Sequence, residues 1–279
     1  MKIAVTGANG FIGRHILATL LKQPVEVTAL VRSSTTSQTT LPAANIIHLD
    51  IENPPSNAYE YIGSPDVLIH LAWNGLNDFR SLLHYEHELQ SHYKFLKGLI
   101  KAGLPSMVVS GTCLEYGLQS GPLQEGMDTR PHTSYGLAKD SLRIQLQFLK
   151  QHVNFNLTWA RLFYLYGEGQ SATSLYPQLQ RAVTRGDKIF NMSGGEQLRD
   201  YLQVDTAADI LVKLALKKQN IGIINVCSGQ PVSVRKLVEA WIKDHDWPIS
   251  INLGHYPYPD YEPMAFWGDS HKLAAHTGT

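Results

Sequence analysis

The sequence has no excess of either charge: 24 Lys and Arg stand against 24 Asp and Glu. Nothing in that balance points to nucleic acid as a partner. No apolar run approaches the roughly 20 residues of a membrane-spanning helix, so no membrane association is expected. Only two cysteines occur, Cys113 and Cys227, too few for a disulfide framework, and a reducing, cytoplasmic setting is expected. A signal peptide is not expected either, because Gly7 and Asn9 interrupt the first apolar run almost at once. Internal repeats and flexible linkers are absent. With 43% apolar residues in a chain of 279, disorder is excluded, and one large α/β domain or two associated lobes can be filled.

What is present begins at the N-terminus. The short apolar run Ile3 to Val5 leads into Gly7, Gly10 and Gly13, then into a helical pattern with Ile16, Leu17, Leu20 and Leu21 on one face. Strand, glycine turn and helix form the context in which glycines let the backbone approach a pyrophosphate, while the helix N-terminus meets that anion with free N–H groups. Gly7, Asn9, Gly10, Phe11, Ile12 and Gly13 are the candidate dinucleotide-binding residues. The alternative is a glycine-rich turn without a ligand.

A second strand, Val25 to Val31, ends at Arg32-Ser33-Ser34. In dinucleotide folds an acidic residue here binds the 2′-hydroxyl of NAD, whereas an arginine accommodates the 2′-phosphate of NADP. Arg32 therefore favours NADPH, with NAD possible; a solvated arginine ending a strand is the other reading. Ser33 to Ala44 reads as a Ser/Thr-rich loop, and Ile46 to Ile51 as a third strand that brings Asp50 and Ile51 near the adenine. Asp50 would equally suit a cap or turn. Val67 to Trp73 is a fourth strand, continuously apolar like a parallel strand covered on both faces. Its small Ala72 lets the chain pass close to the cofactor, and His70 reads as a packed histidine that nothing nearby orients.

A helix over Leu82 to Ala102, a fifth strand at Met107 to Ser110, a helix running to Gln151 and a sixth strand over Phe155 to Leu165 continue the alternation. That alternation argues for a parallel sheet. Further on, helices are expected at Leu175 to Arg185, Ala207 to Lys218 and Ser233 to Lys243, with a strand at Ile221 to Ser228. The tail from Pro248, rich in Tyr and Pro, is expected to loop over another part of the molecule. The fold class is thus α/β: a Rossmann doubly wound parallel sheet over residues 1–170, to which 204–228 returns, and a smaller C-terminal α/β substrate-binding lobe of 171–203 and 229–279.

Tyr135 and Lys139 are four residues apart at a helix start and share one face. A phenol with a pKa of about 10 is a poor acid–base catalyst at neutral pH. An adjacent ammonium and the charge of an oxidised nicotinamide favour the phenolate. Thr112, at the end of the fifth strand, is the candidate hydroxyl to hold a substrate carbonyl. A surface Tyr–Lys pair is the alternative.

Taken together these residues resemble the extended short-chain dehydrogenase/reductase family, the group of nucleotide-sugar epimerases, dehydratases and reductases. The resemblance covers nearly the whole chain: Thr6-Gly7-x-x-Gly10-x-x-Gly13, Asp50-Ile51, His70-Leu71-Ala72, Ser110 to Gly117, Tyr135-x-x-x-Lys139, Arg161-Leu162-x-x-x-Tyr166-Gly167, Arg199-Asp200-Tyr201-x-x-Val204-Asp205 and Asn225-Val226-x-x-Gly229. It implies Thr112, Tyr135 and Lys139 as the catalytic residues, with Leu71, Ala72, Tyr135 and Lys139 also beside the cofactor, Lys139 on the nicotinamide ribose. Substrate contacts would come from Thr112, Cys113 and Tyr135, and from Arg199, whose guanidinium suits a nucleotide-sugar diphosphate; a surface or interdomain salt bridge is the other reading of Arg199. It also implies a homodimer through the helices at Leu82 to Ala102 and Tyr135 to Gln151.

Departures from the family pattern narrow the reaction. Glu88 stands where Asn is usual, Tyr164 at another Asn position, and Glu168 at a common Pro. Dehydrating members resemble Thr-Asp-Glu after the fifth strand; here the run is Thr112-Cys113-Leu114, without an acid or base. Members that couple epimerisation to reduction carry Cys two places after the hydroxyl, whereas Cys113 is one place after and reads as a small packed residue. The expected reaction is NADPH-dependent reduction of a nucleotide-diphospho-4-keto-6-deoxy sugar. A 4-epimerase with bound NAD is the alternative, and a non-catalytic NADP-binding sensor a more distant one.

Overall fold

The computed structural model describes residues 1–32, 45–258, 260 and 262–278, so the Ser/Thr-rich loop expected at Ser33 to Ala44 lies outside the described residues. β1 (Lys2–Thr6) runs into α1 (Phe11–Leu20), followed by β2 (Glu26–Val31), β3 (Asn45–His48), the short α2 (Ala58–Tyr61) and β4 (Val67–His70). The helix expected from Leu82 opens with one wide turn, His84–Glu88, in the π geometry before α3 (Leu89–Lys101). The widened turn brings both His84 and Glu88 inside, where they bond Trp73 and Asn74.

β5 (Ser106–Thr112), β6 (Gly121–Leu123), α4 (Ser134–Leu149) and β7 (Asn156–Leu162) come next. The Thr133 hydroxyl caps α4 by accepting from the Gly136 N–H at 3.1 Å. The apolar run expected as one sixth strand breaks at Phe163. β7 stays in the main sheet, whereas β8 (Tyr164–Tyr166) leaves to pair elsewhere, because Phe163 turns into a cluster with Tyr116, Cys227 and Phe266. α5 (Leu175–Arg185), β9 (Ile189–Asn191), β10 (Leu198–Gln203), α6 (Val204–Lys217), β11 (Gly222–Val226), β12 (Pro231–Ser233), α7 (Val234–Asp244), β13 (Ser250–Asn252), β14 (Phe266–Gly268) and α8 (His271–Thr277) complete the order.

Seven strands form one parallel sheet in the order β3-β2-β1-β4-β5-β7-β11. That is the doubly wound Rossmann arrangement, whose ligand crevice lies at the carboxyl ends where the order reverses, between β1 and β4. Both faces are covered, as the continuously apolar strands require. Alternate side chains of β5 serve different layers: Val108 joins the core under α1 and α6, while Met107 and Val109 join the core under α3 and α4.

A second unit is built on β12-β10-β8 and the β13-β9 pair. Its core joins Leu179 and Ala182 of α5 to Val238 and Trp241 of α7 around Phe190 and Met192. β14 pairs with β6, which follows the Thr112 turn, and α8, placed by the sequence pattern in the smaller lobe, packs Leu273 into the main core beside α6. Among the described residues no helix is long and apolar enough to cross a membrane.

Candidate active site

The β1–α1 turn is shaped by steric need. Gly7 adopts φ +67°, a conformation that L side chains rarely adopt. Gly13 faces the turn so closely that a Cβ there would lie 2.1 Å from the Gly7 carbonyl oxygen. No side chain caps α1, which starts at Gly10 with its first-turn N–H groups available to an anion. Beside this helix start lies a cavity of about 290 Å³, lined by Gly7, Asn9, Gly10, Phe11, Ile12, Gly13, Arg32, Asp50, Ile51, Leu71 and Ala72. The structure thus gathers all the expected dinucleotide residues except Tyr135 and Lys139 along one crevice. The uncapped helix and the cradle that a Cβ would fill fit a dinucleotide pyrophosphate. Asp50 also serves as the turn residue it resembled, accepting from the Glu52 N–H and the Asn53 amide, each at 3.0 Å.

Tyr135 and Lys139 form a second group, joined to the cavity by Trp73, one of its lining residues. The Lys139 ammonium lies 4.2 Å from the centre of the Trp73 ring and donates to the Ser110 carbonyl at 2.7 Å. The half-buried Tyr135 ring stacks on Phe79 at 5.3 Å and meets Trp73 edge-on at 6.0 Å. α4 begins hard against the turn that carries Thr112. A Cβ on Gly136 would stand 2.7 Å from the Leu114 carbonyl oxygen, so glycine there lets the two approach. Thr112 and Cys113 are both buried. Cys113 packs with Tyr116, Leu123 and Phe163, and burial pushes its thiol well above the usual range, so it stays protonated.

The ligand-free phenol behaves otherwise than the Tyr–Lys spacing suggests. Burial, with the neighbouring Glu115 carboxylate and Cys113, raises Tyr135 above its ordinary value, and the lysine does not offset this. Burial instead lowers Lys139 to about 7, against the pull of Glu115 and Glu88. In the ligand-free enzyme Tyr135 is therefore protonated at neutral pH and a weaker acid than a free phenol, so proton donation has to be favoured by the charge developing on a bound substrate oxygen.

A buried polar chain runs behind the cavity. Glu88 accepts from the Asn74 N–H at 3.0 Å and from the Asn74 amide at 3.1 Å, and lies 3.2 Å from His92 Nε2. His92 Nδ1 lies 2.8 Å from His70 Nε2, and His70 Nδ1 lies 2.9 Å from the Thr6 hydroxyl. That hydroxyl accepts from the N–H groups of Leu71 and Ala72. Burial lowers both histidines, so both are neutral. One set of tautomers then satisfies every link: Thr6 donates to His70, His70 to His92, and His92 to Glu88. Burial alone would raise Glu88, but the bonds from His92 and Asn74 bring it down to about 2. His70 is the packed strand histidine expected, fully buried on β4, but it is oriented at both ring nitrogens, contrary to the expectation that nothing nearby orients it. The one sequence signal for this chain was Glu88 at an Asn position with a histidine four residues on.

Arg199 sits on β10, buried, with its guanidinium 3.0 Å from Glu262 and over the Phe266 ring. Glu262 also bonds the Tyr164 hydroxyl, and Asp260 pairs with Arg80. The tail therefore does cross other parts of the molecule.

With this geometry in hand, comparison with known proteins gives the class. The family model described as the NAD dependent epimerase/dehydratase family matches residues 3–227, and the chain belongs to that family. It is an enzyme of the NAD(P)-dependent oxidoreductase kind. Among its relatives, dTDP-6-deoxy-L-talose 4-dehydrogenase (NAD(+)) of Aggregatibacter actinomycetemcomitans is 29% identical over 270 residues, covering 96% of this chain and 99% of the relative. GDP-6-deoxy-D-talose 4-dehydrogenase of the same organism is 26% identical, covering 98% and 90%. Among solved structures, UDP-N-acetylglucosamine 4-epimerase from Methanobrevibacter ruminantium M1, in complex with UDP-N-acetylmuramic acid, superposes with a TM-score of 0.87 at 21% identity, over 100% of this chain and 92% of the other. At that identity the likeness establishes the fold.

Proposed function

We propose that the enzyme reduces the 4-keto group of a nucleotide-diphospho-4-keto-6-deoxy sugar with NADPH, forming the 4-hydroxyl. The observation that carries this reading is geometric: Tyr135 and Lys139 meet at the Trp73 ring, on a helix start packed against the turn that bears Thr112. Two relatives named as 6-deoxytalose 4-dehydrogenases support it, because oxidising a 4-hydroxyl and reducing a 4-ketone are one reaction run in opposite directions.

When bound, the nicotinamide supplies the hydride to the carbonyl carbon. Tyr135 gives its phenolic proton to the developing alkoxide, Thr112 hydrogen-bonds the same oxygen, and Lys139 favours return of a proton to Tyr135. Arg32, lining the cavity wall with Leu30 and Val31, supports NADPH as the carrier. Arg199 takes the substrate diphosphate by sharing or leaving Glu262. The exposed apolar residues Leu137, Ile144 and Phe148 on α4 support a homodimer through this helix.

A second reading has NAD(H) as the carrier. Asp50 and Glu52 line the same cavity as Arg32, and one relative's name specifies NAD(+). Both readings are tested by following NADPH and NADH absorbance with a panel of nucleotide 4-keto-6-deoxy sugars. Net oxidation of NADPH is expected. Interconversion of a non-keto nucleotide sugar without net oxidation would replace the reading with a 4-epimerase.

A further inference from the structure

Glu115 is a carboxylate in the middle of the Gly111 to Gly117 turn, and the proposed chemistry makes no use of it. It is fully buried. Its Oε1 accepts from the backbone N–H of Thr112 at 2.8 Å, while the Thr112 hydroxyl oxygen accepts in turn from the Leu114 N–H at 3.2 Å. The Glu115 side chain on the Thr112 N–H and the Thr112 side chain on the Glu115 N–H together make a capping box on the single turn Cys113–Tyr116.

The remaining capacity of the carboxylate is filled from β7. Trp159 Nε1 donates to it at 2.9 Å and Arg161 Nε at 2.6 Å. Indole and carboxylate press so close to β5 that a Cβ on residue 111 would lie 2.2 Å from Trp159 Nε1 and 2.6 Å from Glu115 Oε1. Arg143 of α4 stands 3.9 Å from Glu115 and donates to Asp140, the neighbour of Lys139 in the chain. One carboxylate thus joins the end of β5, the edge of β7 and the helix that carries Tyr135 and Lys139.

A buried ion pair of this kind costs desolvation that well-packed apolar residues would avoid, so stability alone is a weak reason for it. We propose that Glu115 is a positioning residue: by clamping the Thr112 N–H it fixes where the Thr112 hydroxyl stands relative to Tyr135 and Lys139. This rests on Thr112 being the catalytic hydroxyl.

Two variants separate positioning from packing. Glu115→Asp keeps the charge facing Arg161 but withdraws the carboxylate by one methylene. The double variant Glu115→Gln with Arg161→Met keeps an acceptor for the Thr112 N–H but removes the ion pair. The readouts are kcat, KM, dinucleotide Kd and Tm. Glu115→Asp is expected to lower kcat on the order of 10²-fold, the usual effect of displacing a catalytic group by about 1 Å, with KM and dinucleotide Kd unchanged. The double variant is expected to retain most of the wild-type kcat. The proposal is overturned if the Asp variant keeps wild-type kcat, or if the double variant loses as much activity as the Asp variant, since activity would then follow the ion pair and not the clamp. Thr112→Val marks the other failure: unchanged kcat there removes Thr112 from the chemistry, whereas a loss at Thr112 with full activity in Glu115→Asp removes only the clamp.

Discussion

Replacing Lys139 by methionine is expected to silence the enzyme and, at neutral pH, to stabilise it. The side chain is 1% exposed, and burial lowers the ammonium from its ordinary 10.5 to about 7. At about 1.4 kcal/mol per pKa unit, a shift of 10.5 − 7 = 3.5 units puts the cost of holding this charge in the fold near 5 kcal/mol at most. Against that, methionine gives up the 2.7 Å bond to the Ser110 carbonyl and the contact with the Trp73 face. Those together are worth about 2–4 kcal/mol. A net gain of about 1–3 kcal/mol remains. The pH dependence follows from the sign of the shift. Between pH 7 and 10.5 the unfolded chain holds a proton that the folded chain has lost, so wild-type stability rises with pH across that window. The variant's advantage should then shrink by up to about 1.4 kcal/mol per pH unit. Urea denaturation of both proteins without cofactor at pH 7, 8 and 9 measures this. A variant less stable than wild type at pH 7, or an advantage that does not change with pH, would refute the reasoning.

Tyr135→Phe should lower kcat about 10²–10⁴-fold with substrate KM nearly unchanged, checked by steady-state cofactor absorbance. Gly13→Ala must force a Cβ to 2.1 Å from the Gly7 carbonyl oxygen, and is expected to abolish measurable dinucleotide binding by calorimetry. It should also cost about 1–3 kcal/mol of stability. Glu88, held at about 2 against an ordinary 4.5, contributes stability that is complete above pH 4.5 and is lost as pH falls toward 2. Acid titrations followed by tryptophan fluorescence should therefore show a flatter profile in that window for Glu88→Gln, with lower stability at pH 7.

The Rossmann half was legible because its signals are local. Glycine spacing, apolar strands and amphipathic helices are written in short stretches, and the parallel sheet follows from their alternation. The break at Phe163 was hidden because Phe163 is as apolar as its neighbours, and only the partner strands distinguish β7 from β8. The chain from Glu88 through His92 and His70 to Thr6 was not legible, because two of its links join residues 22 and 64 positions apart. The raised Tyr135 of the ligand-free enzyme was not legible for a similar reason: sequence shows the lysine four places on, but neither the burial nor the Glu115 carboxylate on the turn after β5. Arg199 was singled out by its motif, but its partner Glu262 comes from a tail with no periodic pattern.

The most direct test of the central claim uses NADPH carrying deuterium at both C4 positions of the nicotinamide, with a nucleotide-diphospho-4-keto-6-deoxy sugar as substrate. The account expects one deuterium at C4 of the product sugar for each NADPH oxidised. Cofactor that is not consumed, or product whose C4 carries no deuterium, would contradict it.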